Sequence, residues 1–472
     1  MSEGKSREFG GVEVHHIDVV APSERHGRAR DLFAVWCSAN LSVGNFVFGA
    51  LAVVVGNNLL WAVVALVIGN VVGGAFMALH SAQGSRLGVP QLIQSRGQFG
   101  YYGALLPVLL AALLYCGFFV VTAIIGGQAL TAAVPSAGTG LATVLVSLIS
   151  IALALIGYRV IHLAARLAVW PLSISVVIVA VASLRHGGLD WSFDGFAWGP
   201  FLTAVGLVAT FLLTYAPYVS DYSRYLPEDT PAKSAFGWTF AGATSGYFAA
   251  GLVGAFLAVQ FTDLDSMAAV REVLGDGPLT FVILLVGAVS IGGNNALNLY
   301  GGMLNLITAV SSVVKVKASV TFRVVMLLPT FLIGLLVAMW ASEDFVTNLS
   351  TFLSFLMLGF VPWGAVNLID FYLVRHGDYD VGGFFEPRGP YYEDAATWTW
   401  KGVAWKAILS YVVGVVASIP LVGNTWYTGP LSEALGGADL SWIPGTVVTG
   451  AVYLLLMGRR GARRPGPALD RV

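Results

Sequence analysis

The stretch Thr214-Tyr215-Ala216-Pro217-Tyr218-Val219-Ser220-Asp221 lies inside an apolar run that otherwise reads as one long helix. Pro217 has no backbone donor and clashes with the preceding turn, so a helix must be interrupted here. A second such place is Ser38-Ala39-Asn40-Leu41-Ser42-Val43-Gly44-Asn45, where two asparagines and a glycine fall near the middle of the first apolar run. Polar and helix-breaking residues at mid-membrane are costly. Where they occur, the freed backbone groups can hold a solute or an ion.

The surroundings of these stretches show that the solvent is lipid. Hydrophobic residues make up 57% of the chain and charged residues 11%, whereas soluble domains carry about 25% charged residues. The apolar residues come in blocks of roughly 18–25, the length that crosses a bilayer as a helix. Twelve spans are expected, at 31–55, 59–82, 101–131, 139–158, 163–184, 200–224, 236–260, 279–310, 321–341, 345–373, 402–421 and 441–458. The chain is therefore an all-α polytopic membrane protein. With the amino terminus in the cytoplasm, all 25 Lys and Arg residues except Arg185 and Arg271 fall on the inside. Asp190, Asp194, Asp263, Asp265, Asp276, Glu343, Asp344 and Asp439 fall outside. This is the positive-inside pattern, and one span more or fewer would invert everything after it. It places both termini in the cytoplasm and the protein in the plasma membrane as a multi-pass chain. The polar N-terminal segment lacks an apolar core of signal-peptide type, so the first span serves as its own insertion signal. The connection 374–401 is rich in Gly, Pro and Asp and reads as a surface loop.

The interrupted spans are the first and the sixth, equivalent members of two five-helix units. Because five is odd, the second unit is inverted. This divides the chain into a cytoplasmic segment 1–30, a first five-helix repeat 31–184 and a second 185–373. A cytoplasmic loop and spans 11 and 12 follow over 374–458, then a basic tail 459–472.

Span 8 contains Gly292-Gly293-Asn294-Asn295-Ala296-Leu297-Asn298-Leu299-Tyr300. Asn294 and Asn298 share a helix face, as do Asn295 and Asn298. Each carboxamide offers two donors and an acceptor, which suits the mixed edge of a purine or pyrimidine. The same groups could instead join helices, since Asn between membrane helices is stabilising. Span 3 offers Tyr115, Phe118, Phe119 and Thr122, whose rings could stack on a flat solute or simply pack. Asp221, Asp370 and His80 fall toward the inner ends of their spans. The shortage of charge at mid-membrane favours an uncharged solute. Cys37 and Cys116 both lie in spans, and no metal-ligand spacing, nucleotide-binding glycine loop or acid–base pair is present, so neither a metal, a cofactor nor an enzymatic activity is expected.

The chain resembles the nucleobase:cation symporter family 1, in its purine–cytosine permease branch. The resemblance rests on Pro22-Ser23-Glu24-Arg25, on Leu32-Phe33-Ala34-Val35-Trp36-Cys37-Ser38-Ala39-Asn40 and Gly49-Ala50-Leu51, and on Ser95-Arg96-Gly97-Gln98-Phe99-Gly100. It continues through Gly126-Gly127-Gln128-Ala129-Leu130 and Tyr218-Val219-Ser220-Asp221-Tyr222-Ser223-Arg224-Tyr225, and ends with the asparagine motif of span 8. It implies a LeuT-like fold of two inverted five-helix repeats plus two C-terminal helices. It also implies alternating access and a substrate site between spans 1, 3, 6 and 8. The positions it points to are Asn45, Phe118, Thr122, Thr214, Tyr215 and Asn298; the polar stretches of spans 1 and 8 themselves add Asn40, Asn294 and Asn295 as candidates. In the family a tryptophan and an amide stand where this chain has Phe118 and Thr122, and a Gly-Trp pair where it has Thr214-Tyr215. Aromatic character survives, whereas Thr122 offers fewer hydrogen bonds than an amide.

The expected activity is import of a neutral nucleobase by cation symport. Carriage of another heterocycle, such as allantoin, a hydantoin, thiamine or pyridoxine, stays open, with a membrane receptor or enzyme as a remote reading. Sodium-coupled relatives carry hydroxyl residues one turn before the asparagines, where this chain has Ser290-Ile291-Gly292-Gly293. A proton is therefore preferred to sodium as the coupling ion, with Ser290 and Asp221 as coupling candidates. The partners expected are a small heterocycle and the lipid bilayer, with no nucleic acid, and the oligomeric state stays open.

Overall fold

In the first span the helix Asp31–Asn40 (α1) stops and Phe46–Val54 (α2) resumes at a bend of 64°. A computed structural model describes this and the rest of residues 18–156, 158–314 and 320–458. Lys315, Lys317 and the tail 459–472 lie outside the described residues. At the break Ser42 is extended, with φ −140° and ψ 146°, and its Oγ accepts from the Gly44 amide at 3.3 Å. Asn45 Nδ2 donates to Asn40 O at 2.8 Å, and Asn40 Nδ2 to Trp36 O at 2.8 Å. These side chains replace ladder bonds that lipid could not.

The chain continues through Leu59–Leu87 (α3), Gln91–Phe99 (α4), Leu105–Ala133 (α5), Thr139–Ile156 (α6) and Tyr158–His186 (α7). The second series is Trp198–Leu213 (α8), Val219–Ser223 (α9), Ala232–Gln260 (α10), Ser266–Leu274 (α11), Pro278–Val313 (α12), Val320–Ala341 (α13) and Phe345–Ile369 (α14). Trp405–Ser418 (α15), Pro430–Ala434 (α16) and Trp442–Met457 (α17) close the chain. Among the described residues eight helices are long and apolar enough to cross a membrane. The bent pair α1–α2 and three shorter apolar helices make up the rest of the expected spans.

The two series share one order: a broken span, a long span, a short helix and three further spans. Their contacts are exchanged. The broken span α1–α2 packs on α10, and the broken span α8–α9 packs on α3. The centre of the molecule is α5 against α12, with α6 touching α12 and α13 touching α5. Glycine permits the closest crossings. A Cβ at Gly49 of α2 would fall 1.9 Å from Gly251 O of α10, and one at Gly73 of α3 would fall 2.2 Å from Ala209 O of α8.

Two features differ from the sequence reading. The helix α4, QLIQSRGQF, is polar in sequence yet almost wholly buried. It escapes a search for apolar runs because most of its polar side chains are bonded to α3, α9, α14 and the loop that follows α14. The connection 374–401 is not a loose surface loop. Tyr379, Phe384 and Tyr391 are buried against Val89, Ile93 and Phe371, and Gly402 O accepts from the Tyr102 and Gly103 amides.

Candidate functional site

The sixth span breaks where Pro217 cannot donate. Ahead of it the helix tightens, Tyr215 N bonding Leu212 O at 3.1 Å and Ala216 N bonding Leu213 O at 2.9 Å. After a turn the chain restarts as α9, whose Ser220 Oγ donates to His80 O at 2.8 Å and to Gln91 Oε1 at 2.5 Å. Both breaks thus present irregular backbone inside the bundle, shielded by protein as membrane depth demands.

Aromatic rings line the space between the breaks. Phe118 of α5 meets Phe211 of α8 (centroids 6.3 Å, 69°) and Phe352 of α14 (5.7 Å, 76°). Phe211 also lies 4.1 Å from Phe48 and 4.6 Å from Tyr247. Tyr215 contacts Trp36 at 5.3 Å, Phe211 at 5.5 Å and Tyr218 at 5.6 Å. Tyr218 in turn faces Tyr115 at 5.5 Å. Sequence reasoning named Phe118 and Tyr215 but missed Trp36, Phe48, Phe211 and Phe352, since aromatic residues on a membrane helix look like packing. Phe352 lies over Gly117, where a Cβ would come within 2.1 Å of the ring. It therefore covers Phe118 from the α14 side.

At one edge of this cluster the carboxamides divide their work. Asn295 is fully buried, and its Nδ2 donates to Phe119 O of α5 at 3.1 Å. Asn298 is half-buried; its Nδ2 reaches Asn295 Oδ1 at 3.1 Å and Thr122 Oγ1 at 3.3 Å. The Thr122 hydroxyl is itself donated to Phe118 O at 2.5 Å. Among the described residues Asn298 Oδ1 accepts no hydrogen bond. Asn294 does not join this pair and is exposed. Thr214 is buried, and its hydroxyl is donated to Phe211 O of its own helix at 2.6 Å. Asn40 and Asn45 hold the break of the first span, and Asn40 Oδ1 is buried with no protein partner.

The coupling candidates are placed as follows. Ser290 is half-buried on α12. Next to it the Ile291 side chain fills the gap toward the first break, within 3.3 Å of a Cβ built at Gly44 and 3.2 Å of one at Gly126. Gly292 O already accepts from Ser150 Oγ of α6 at 2.9 Å. Asp221 Oδ1 accepts from the Gln91 amide at 2.9 Å, which ties α9 to the start of α4.

A family model described as "Permease for cytosine/purines, uracil, thiamine, allantoin" matches residues 19–445. The chain belongs to the nucleobase-cation-symport-1 family. YxlA of Bacillus subtilis (strain 168), which carries a provisional purine-cytosine permease name, is 35% identical over 96% of this chain and 98% of its own. The purine-cytosine permease fcyB of Emericella nidulans is 24% identical, over 94% of this chain and 88% of its own. The fold is also that of Mhp1. Its inward-facing conformation superposes with a TM-score of 0.75 at 19% identity, covering 93% of this chain and 92% of that one. A closed form of Mhp1 with bromovinylhydantoin bound gives 0.71 at 20% identity, covering 94% and 95%. Family members are transporters, so this chain is an integral membrane carrier with a LeuT-like fold, and it is not an enzyme.

Proposed function

We propose that this family member imports an uncharged nucleobase of the purine or cytosine type together with a proton, by alternating access, with both termini in the cytoplasm. The observation that carries this is the free Asn298 Oδ1 at the edge of the Phe118–Phe211–Tyr215 cluster, between two broken helices. A flat ring would stack on the aromatic faces while its polar edge meets the carboxamide. Base–aromatic stacking is worth about 1–3 kcal/mol per base, and the hydrogen bond at the edge supplies selectivity. The aromatic, hydroxyl and carboxamide groups here provide no counter-charge for an ionic solute.

Proton coupling is supported by Ile291. An aliphatic side chain fills the position beside the first break where a sodium ion would need oxygen ligands, and the neighbouring Gly292 carbonyl is already engaged. We assign the repeats to 31–184 and 185–373, the inner and outer halves of the broken spans being the parts that move.

A second reading keeps the site and changes the solute. The Thr122 hydroxyl is committed to its own helix, so this position gives a ligand less than an amide would. That leaves room for a heterocycle whose polar edge differs from a nucleobase's, such as a hydantoin or a vitamin. Uptake of labelled cytosine, hypoxanthine, allantoin and pyridoxine into sodium-free proteoliposomes, with an imposed proton gradient, distinguishes the two. Accumulation of cytosine or hypoxanthine is expected. Accumulation of allantoin or pyridoxine alone selects the second reading, and accumulation of none of the four rejects both.

A further inference from the structure

The outer end of the molecule holds a carboxylate that the central site does not use. A cavity of about 360 Å³ is lined there by Val55, by Thr203 and Leu207 of α8, by Ser350 and Met357 of α14, and by the segment joining α15 to α17. Asp439 of that segment lines it, yet is only 3% exposed. Its Oδ2 accepts from Ser354 Oγ of α14. Its Oδ1 accepts from Ser441 Oγ at 2.6 Å and from the Ser441 amide at 3.0 Å. The Gly423 amide supplies a further bond, and Asn424 Nδ2 holds Ser354 Oγ at 3.1 Å.

A buried carboxylate normally has a cation beside it. Among the described residues that line the cavity, none supplies one. The helices α2, α8 and α14 contain no ionisable residue. Glu343 and Asp344 ahead of α14, and Tyr427 and Glu433 in the joining segment, are exposed. Burial pushes the Asp439 carboxyl up, opposed by the hydroxyl and amide donors. Those donors occupy both oxygens, so a proton arriving on Oδ2 weakens the bond that Ser354 makes there, because the charge that assists it is lost. The Ser354 bond is the one that joins Asp439 to α14. Ser354 stands two residues from Phe352, about 200° around the same helix, so one side of α14 is tied to Asp439 while the other carries the ring over Gly117 and Phe118.

We propose that Asp439 is a positioning residue for transport: ionised, it holds Ser354 and keeps α14 with Phe352 over the binding site, and protonated from the outer side it loosens its hold on α14 and shifts that helix toward an open position. In that step a proton passes from cavity water to Oδ2, and the Ser354 hydroxyl gives up its charge-assisted bond for a weaker neutral one. The inference rests on the orientation proposed above, with the termini inside.

The test needs no solute, so it stands apart from the identity of the substrate. Spin labels are placed at Thr347 and Val54, both exposed at the outer ends of α14 and α2, with Cys37 and Cys116 replaced by serine. Distances are read by double electron–electron resonance in nanodiscs from neutral to acid pH. In the parent, acid shifts the distribution toward a longer, open population. Asp439→Asn and Ser354→Ala hold that open population at every pH, and Asp439→Glu restores the response. An Asp439→Asn protein that keeps the parent's pH response, or a parent with none, overturns the proposal. If Asp439→Asn does not fold, Ser354→Ala decides the matter alone, by losing the response or by keeping it.

Discussion

Asn298→Ala and Asn295→Ala separate binding from packing. Asn298 Nδ2 makes two long bonds, at 3.1 and 3.3 Å, from a half-buried position, and its Oδ1 is left for a ligand. Side-chain hydrogen bonds between membrane helices average about 0.6 kcal/mol, so removing this carboxamide with its two bonds costs about 1–2 kcal/mol of stability, including the loss of the donor to Asn295 Oδ1. Losing its bond to a bound base costs about 1–3 kcal/mol, since the ligand's polar edge is then buried without a partner. At 1.4 kcal/mol per tenfold, that is a loss of roughly 5- to 150-fold in affinity. Asn295 is the opposite case. Its Nδ2 holds the Phe119 carbonyl inside the α5–α12 contact, and truncating this fully buried side chain loses that interhelical bond and opens a small cavity, at about 0.5–3 kcal/mol of stability. Equilibrium binding of labelled hypoxanthine or cytosine and thermal unfolding in one detergent read the two quantities separately. Asn298→Ala is expected to lose affinity with a small change in Tm, and Asn295→Ala to lose Tm. If Asn298→Ala unfolds as early as Asn295→Ala while the protein still binds with parental affinity, the carboxamide is a helix clamp and the reasoning fails.

Three further outcomes follow from the geometry. Asn45→Ala removes the side-chain bond that spans the first break, leaving Asn40 O with the Ser42 amide alone, and lowers stability by about 0.5–1.5 kcal/mol; thermal unfolding checks it, and an unchanged Tm means that the break holds itself. Gly49→Ala drives a Cβ into Gly251 O of α10, so it should cost more than the 1–3 kcal/mol typical of overpacking, seen as a fall in folded yield on size exclusion. If coupling is to a proton, as proposed, replacing sodium with choline in the binding buffer leaves affinity unchanged; a marked loss of affinity in choline would show that sodium binds after all.

Much of this fold can be read from the chain because lipid tolerates few exceptions. The interruptions at Ser42 and Pro217 stand out against apolar runs, and the loop charges set the number of spans. What escaped the reading is polar structure that is buried outside the spans. The helix α4 has too little hydrophobicity to be noticed, although Gln91 and Gln98 link α3, α9, α14 and the following loop. Asp439 reads as one more outside carboxylate, because sequence does not show that the joining segment folds over it. Of the candidate positions, Phe118 and Tyr215 both contact Phe211, yet the different surroundings of Asn294, Asn295 and Asn298 depend on about 100° of helix rotation per residue and on which neighbour lies there. Trp36, Phe48 and Phe211 are hidden for a related reason, since an aromatic ring facing a solute and one facing a helix look alike in sequence.

Calorimetric titration of cytosine and hypoxanthine into the purified protein and into Phe118→Ala bears most directly on whether an uncharged ring stacks at the helix breaks. The account predicts saturable binding to the parent and an affinity about 5- to 150-fold weaker without the Phe118 ring. Equal affinity in the two proteins, or binding of an ionic solute with none of either base, would contradict it.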